Sequence, residues 1–149
     1  MKIKDKLNRL NQKDEVIAWK TIMSAHGATY RKLEKNLNEV ECGIPRFRIL
    51  YFLYFEGPLR PMEIAEKSSA SRPNITTFLK RMKIDKLVIE QKLKEGKRPK
   101  YKLTKKGEKM FEKIFPEHIK KVSSIVKPMP SELLDYLTNL KIRADEVSL

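Results

Sequence analysis

The sequence predicts a mainly α-helical chain with one small β-hairpin, and three observations lead there. Apolar residues recur at helical spacing along most of the 149 positions. From Pro61 to Leu103 a short helical pattern, a second helix beginning near Ser71, and two strand-like segments around a basic turn follow in close succession. The charge is concentrated in the same stretch: residues 57–107 carry fifteen Lys and Arg against five Asp and Glu, so +10 of the net +14 sits there. That order is the outline of a winged helix-turn-helix flanked by N- and C-terminal helices, and so concentrated a basic excess reads as the footprint of a polyanion.

The chain is long enough for one domain, taken as 1–149, and its 40% apolar content can build a core without staples. No apolar run approaches the roughly 18–20 residues needed to cross a bilayer, and no apolar stretch follows Met1-Lys2-Ile3-Lys4-Asp5-Lys6 as in a signal peptide. A cytoplasmic protein with no membrane partner is therefore expected. Cys42 is the only cysteine, which excludes internal disulfides and Cys-rich zinc motifs. Beside it stand only His26 and His118, so no metal and no cofactor is expected, and Glu117-His118 lacks further ligands. There is no Gly-rich phosphate loop and no spaced nucleophile, histidine and acid, so an enzyme is not expected.

From about Lys13 to Val40, the bulky positions Val16, Trp19, Met23, His26, Tyr30, Leu33, Leu37 and Val40 recur at steps of three and four. This heptad stripe predicts one helix of roughly 40 Å, longer than a domain of this size needs for its own core. After Gly43 and Pro45, Phe47, Leu50, Tyr51, Leu53 and Tyr54 give a helix ending at Gly57-Pro58, and its nearly all-round apolarity predicts burial. Pro61 suits the first turn of the next helix, which runs to about Lys67 and packs through Met62, Ile64 and Ala65.

Beyond the turn Ser68-Ser69-Ala70, Ser71 is placed to cap a helix whose Ile75, Phe78, Leu79 and Met82 share one face. Leu87–Leu93 and Lys100–Leu103 then read as strands around Lys94-Glu95-Gly96-Lys97-Arg98-Pro99, the wing. Thr104 caps a helix carrying Met110, Phe111, Ile114, Phe115, Ile119, Val122 and Ile125, with a bend expected at Pro116. Pro128-Met129-Pro130 breaks it, and a last helix from about Ser131 to Glu146 has Leu133, Leu134, Leu137, Leu140 and Ala144 in register.

This order resembles the MarR family of transcriptional regulators over nearly the whole chain. Gly43-Ile44-Pro45 through Arg46-Phe47-Arg48-Ile49-Leu50 looks like the start of the family's second helix, and Pro61-Met62-Glu63-Ile64-Ala65 like its first helix-turn-helix element. Ser71-Arg72-Pro73-Asn74-Ile75-Thr76 resembles the start of its recognition helix, and Leu103-Thr104-Lys105-Lys106-Gly107 the segment leaving its wing. Two positions depart from the pattern: the wing tip is Glu95-Gly96-Lys97-Arg98, and Lys86 stands where a glycine usually ends the recognition helix. The second departure predicts a helix end without the usual left-handed glycine. The resemblance implies a DNA-binding lobe over 44–107 and helical dimerisation regions over 1–43 and 108–149.

Base reading in a major groove needs forked donors near the N-terminus of a helix whose other face is anchored. Ser71, Arg72, Asn74, Thr76 and Thr77 occupy such positions, with Arg72 suited to guanine, Asn74 to adenine, and the threonines to a thymine methyl or a phosphate. Lys80 and Arg81, further along, suit phosphates. In the wing, Lys97 and Arg98 reach the tip, where such side chains enter a minor groove, and the resemblance points to Arg98; Lys94, Lys100 and Lys102 line the backbone.

Val16, Trp19 and Met23 with Leu133, Leu134, Leu137 and Leu140 form an apolar surface that predicts a homodimer on pseudo-palindromic double-stranded DNA. The resemblance further implies a small aromatic effector that releases the DNA, for which His26, Tyr30, Phe47 and Tyr51 are the pocket candidates; the competing reading places these four in the core. Cys42 follows Glu41, whose charge disfavours the thiolate a redox sensor needs. The function expected is a sequence-specific transcriptional regulator acting as a repressor. A winged-helix protein-interaction module and a non-specific architectural DNA binder remain the alternatives, the first having no need of donors at Arg72, Asn74 and Thr76.

Overall fold

A computed structural model describes residues 2–68 and 70–147. Seven helices and a two-stranded antiparallel sheet are found there: α1 (Ile3–Asn11), α2 (Asp14–Asn38), α3 (Ile44–Glu56), α4 (Pro61–Ser68), α5 (Arg72–Ile84), β1 (Val88–Gln91), β2 (Lys100–Leu103), α6 (Lys105–Val126) and α7 (Ser131–Glu146). The architecture is a winged helix-turn-helix with helical extensions at both ends, as the sequence predicts. None of its helices is long and apolar enough to cross a membrane.

The core gathers Leu37 of α2, five residues of α3, Ile64 and Ala65 of α4, the Ile75-Leu79-Met82 face of α5, and Phe111 and Ile114 of α6. Phe111 is its aromatic centre, with ring centroids 5.7 Å from Phe47, 4.8 Å from Tyr54 and 5.0 Å from Phe115, so α3 and α6 lock through rings of both helices. The sheet pairs Val88 with Leu103 through Gln91 with Lys100, and Leu59 adds one bridge to Tyr101.

Several details differ from the sequence reading. The N-terminal segment contains the additional helix α1, whose Ile3, Leu7 and Leu10 lie at helical spacing but are all exposed. The long helix ends at Asn38, and Val40 lies exposed beyond it. Helix α3 is not buried all round: Tyr51, Tyr54 and Phe55 meet Phe111 and Phe115 of α6 on one side and remain exposed on the other. Met62 likewise points outward, leaving Ile64, Ala65 and Ser68 to seat α4. The first strand begins at Val88 because the amide of Leu87 is used by the helix end, donating to the Met82 carbonyl at 2.9 Å. Helix α6 continues through Pro116, and its Ile119 and Ile125 are exposed. Ser69, in the turn expected before α5, lies outside the described residues.

Candidate nucleic-acid interface

Helix α5 is built to be held from behind. Its apolar face, Ile75, Leu79 and Met82, is buried, while Arg72, Pro73, Asn74, Thr77, Lys80 and Arg81 are exposed and Thr76 is half-buried. Arg72, Thr76 and Lys80 recur every four residues, as do Pro73, Thr77 and Arg81, so these side chains form adjoining rows on the surface. Ser71 holds the N-cap position, but its side chain makes no capping hydrogen bond. A capping oxygen accepts from the second or third helical residue, and Pro73 at the second has no N–H, which leaves only the Asn74 amide to such a cap.

The two threonines are already partly engaged. Thr76 Oγ1 donates to the Arg72 carbonyl and Thr77 Oγ1 to that of Pro73, both at 3.0 Å. With the hydroxyl protons turned inward, what each presents outward is its methyl group and an accepting oxygen. This geometry favours apolar contact or acceptance over donation to a phosphate.

The far end of α5 is fixed by three neighbours. Arg46 Nη2 of α3 pairs with Asp85 Oδ2 at 2.7 Å. Thr104 Oγ1 donates to the Lys86 carbonyl at 2.6 Å and Lys106 Nζ to the Asp85 carbonyl at 2.8 Å, so the helix-end carbonyls are satisfied by the start of α6. Thr104 Oγ1 also accepts from the Gly107 amide at 3.1 Å, the expected cap of α6. A Cβ on Gly107 would lie 2.2 Å from the Leu87 carbonyl oxygen, which explains why glycine stands there. Lys86 has φ 59°, so the left-handed geometry expected to be lost with the glycine is retained on a lysine.

The wing is tied to the same helix. Glu90 on β1 accepts from Lys83 Nζ at 2.9 Å and from the Tyr101 hydroxyl at 3.0 Å, and these two donors hold its carboxyl below the usual carboxylate range. At the hairpin tip Gly96 adopts φ 80°, and Lys94, Lys97 and Arg98 around it are exposed. Lys102 is exposed and Lys100 half-buried on β2. Among the described residues, none of Arg72, Lys80, Arg81, Lys94, Lys97, Arg98, Lys100 and Lys102 forms an ion pair, whereas Lys83, Lys67 and Arg46 each have a carboxylate partner. Cations that form no ion pair are free to neutralise phosphates.

A cavity of about 770 Å³ lies on the other side of α3, bounded by α2, α3, His118 of α6, and Met129, Leu133 and Leu137. It brings His26, Tyr30 and Phe47 together, with the His26 and Tyr30 rings 6.0 Å apart. Tyr51 is not among them: it lies on another side of α3, 4.9 Å from the Phe55 ring and 6.1 Å from that of Phe115. The sequence reading missed Arg48 and His118, which both line this cavity. The signal for Arg48 was a second arginine, beside Arg46, in a mainly apolar helix; His118 gave none.

Rather than forming a surface metal pair with Glu117, His118 is buried, its ring 4.3 Å from that of Phe47, while Glu117 pairs with Lys120 at 2.6 Å. Burial lowers the His118 pKa below its ordinary value, and Lys121 adds to the effect. Among the described residues no group of three His, Cys, Asp or Glu is placed to hold a metal. Cys42 is fully buried and its thiol is pushed up to about 11 by that burial, which Arg46 only partly offsets, so desolvation and not Glu41 disfavours the thiolate.

The apolar surface expected between protomers is exposed in the single chain. Trp19 is 62% and Leu134 55% exposed, Met23 and Leu133 are exposed, and Val16, Leu137 and Leu140 are half-buried. None of the residues of α7 is buried.

Comparisons with known proteins agree with this geometry. A sequence model of the MarR family matches residues 44–99, the span from α3 to the end of the wing turn. The HTH-type transcriptional regulator FarR of Neisseria gonorrhoeae is 28% identical over 120 residues, covering 80% of this chain and 82% of FarR. AbsC, a MarR family transcriptional regulator from Streptomyces coelicolor, superposes with a TM-score of 0.79 over 89% of this chain and 94% of its own, at 23% identity. NadR in complex with 4-hydroxyphenylacetate gives a TM-score of 0.69 at 25% identity over 86% of this chain and 92% of NadR.

Proposed function

We propose that the chain is a regulator of the MarR family, to which its residues 44–99 and its relative FarR are similar, and that it is a sequence-specific repressor that occupies promoter DNA as a homodimer. The observation that carries this reading is the set of cations on α5 and the wing that have no acidic partner among the described residues, on elements anchored from behind by Asp85, Thr104, Lys106 and Glu90. In this reading α5 enters the major groove. Arg72 and Asn74 contact base edges, Thr76 and Thr77 present methyl groups, and Lys80 and Arg81 grip phosphates. Arg98 and Lys97 reach the adjoining minor groove, while Lys94, Lys100 and Lys102 follow the backbone.

Two-fold pairing through α2 and α7 sets the recognition helices about 34 Å apart, one turn of B-DNA, and so favours a pseudo-palindromic site. A small aromatic molecule in the cavity beside His26, Tyr30 and Phe47 releases the DNA; NadR, a structural neighbour, binds 4-hydroxyphenylacetate.

Binding titrations over a range of salt test the reading. Affinity for duplex DNA should fall steeply with salt, and Lys80→Ala should reduce that slope by about one unit while weakening all sequences alike. Arg72→Ala or Asn74→Ala should cost about 1–3 kcal/mol on a preferred site and flatten preference at one position per half-site. Equal losses on preferred and mixed sequence for the Asn74 variant would contradict its role in base reading.

A further inference from the structure

A second cavity, of about 460 Å³, lies between the C-terminal end of α2 and the middle of α6. It is separate from the larger one: the two share only Leu37 and His118, which stand between them. Its apolar lining is Leu37, Val40, Met110 and Ile114. A chamber of this volume has room for a small ligand with an aliphatic body.

The charges around it fall on two walls of opposite sign. Glu39 and Glu41 stand at the end of α2, where the helix dipole also favours a cation, and Lys113 and Lys121 stand on α6. Glu117 of α6 is already taken up by Lys120 at 2.6 Å. None of Glu39, Glu41, Lys113 and Lys121 forms an ion pair among the described residues, so neither wall neutralises the other. A ligand with a single charge would satisfy one wall and leave the other unmatched, whereas a zwitterion satisfies both.

His118 adds an independent observation. It is buried, it lines this cavity, and its Nδ1 has no hydrogen-bond partner among the described residues. Burial keeps the ring neutral near neutral pH, so this nitrogen can accept a hydrogen bond. A buried polar atom without a partner costs free energy that a ligand donor would recover.

We propose that this cavity binds a free α-amino acid with an aliphatic or thioether side chain. Its ammonium lies at Glu39 and Glu41 and donates to the Nδ1 of His118, its carboxylate lies at Lys113 and Lys121, and its side chain rests on Val40, Met110 and Ile114. The site differs from the larger cavity in position and in the charge it selects, and its occupancy does not depend on DNA.

The test is calorimetric titration of the full chain near neutral pH with L-leucine and L-methionine, and with 4-methylpentanoate and 3-methylbutylamine, which each keep one of the two charges. The amino acids should bind with one molecule per chain, and each singly charged analogue about tenfold or more weakly. Glu39→Gln with Glu41→Gln should weaken the amino acids and leave 4-methylpentanoate unchanged; Lys113→Gln with Lys121→Gln should weaken them and leave 3-methylbutylamine unchanged. The ring-nitrogen resonances of His118 should shift on binding while those of His26 do not. Four outcomes overturn the proposal: no binding of either amino acid at millimolar concentration, an analogue that binds as tightly as they do, amino-acid affinity unchanged in both double variants, or binding that leaves the His118 resonances in place.

Discussion

Lys86 and Glu41 hold φ of 59° and 55°, in the left-handed region that favours glycine. Each closes a helix in the same way. The amide of Leu87 donates to Met82 and that of Lys86 to Lys83 after α5, and the amide of Cys42 donates to Leu37 and that of Glu41 to Asn38 after α2. In both cases the outer pair, Leu87 with Met82 and Cys42 with Leu37, is buried, so packing holds a turn that the side chain at its centre resists. Lys86→Gly is accordingly expected to raise stability by about 0.5–1 kcal/mol in urea denaturation; a loss of stability would contradict this. The lysine was legible in the sequence, but the geometry it adopts was not, because burial of Leu87 and the caps from Thr104 and Lys106 are long-range facts. Ser71 fails in the opposite sense: its residue type invites a cap, and Pro73 two positions on removes one of the amides it would use.

Elements were more legible than residues. The Lys100–Leu103 strand, α5 and α7 follow alternation and periodicity that survive folding, and Gly96 with φ 80° marks the wing tip where the sequence places it. What escaped was how elements lean on one another: the bridge from Leu59 to Tyr101, and the clamp in which Glu90 joins the wing to Lys83 of α5. That clamp has a pH signature. Because the Glu90 carboxyl is held below its ordinary value of 4.5, its contribution is present above that value and is lost as pH falls through the lower folded-state value. Between about pH 6 and 3, wild-type stability should therefore fall more than that of Glu90→Gln. Identical acid slopes from denaturant midpoints would mean that the charge does not hold the wing.

For the whole molecule, the α2 stripe divides: Tyr30, Leu33 and Leu37 pack on the chain's own core, whereas its N-terminal half and the leucine-rich α7 do not. In the single chain Trp19, Met23, Leu133 and Leu134 stay exposed, apolar surface that a second copy can cover. Leu134→Asp puts a charge in that seam while touching nothing buried, so sedimentation equilibrium should find a monomer with an unchanged helical spectrum. A dimer that survives would place the seam elsewhere. The cavity was only partly legible, since His26, Tyr30 and Phe47 meet in it while Arg48 and His118 arrive from positions whose sequence context does not show that they share a chamber.

Whether the unpaired cations of α5 and the wing serve a dimer that reads DNA sequence is decided by selecting bound duplexes from a random library at roughly physiological salt, where non-specific binding is weak. A pseudo-palindrome with half-sites about one helical turn apart should be enriched. Retention of DNA without any enriched motif would contradict sequence-specific binding.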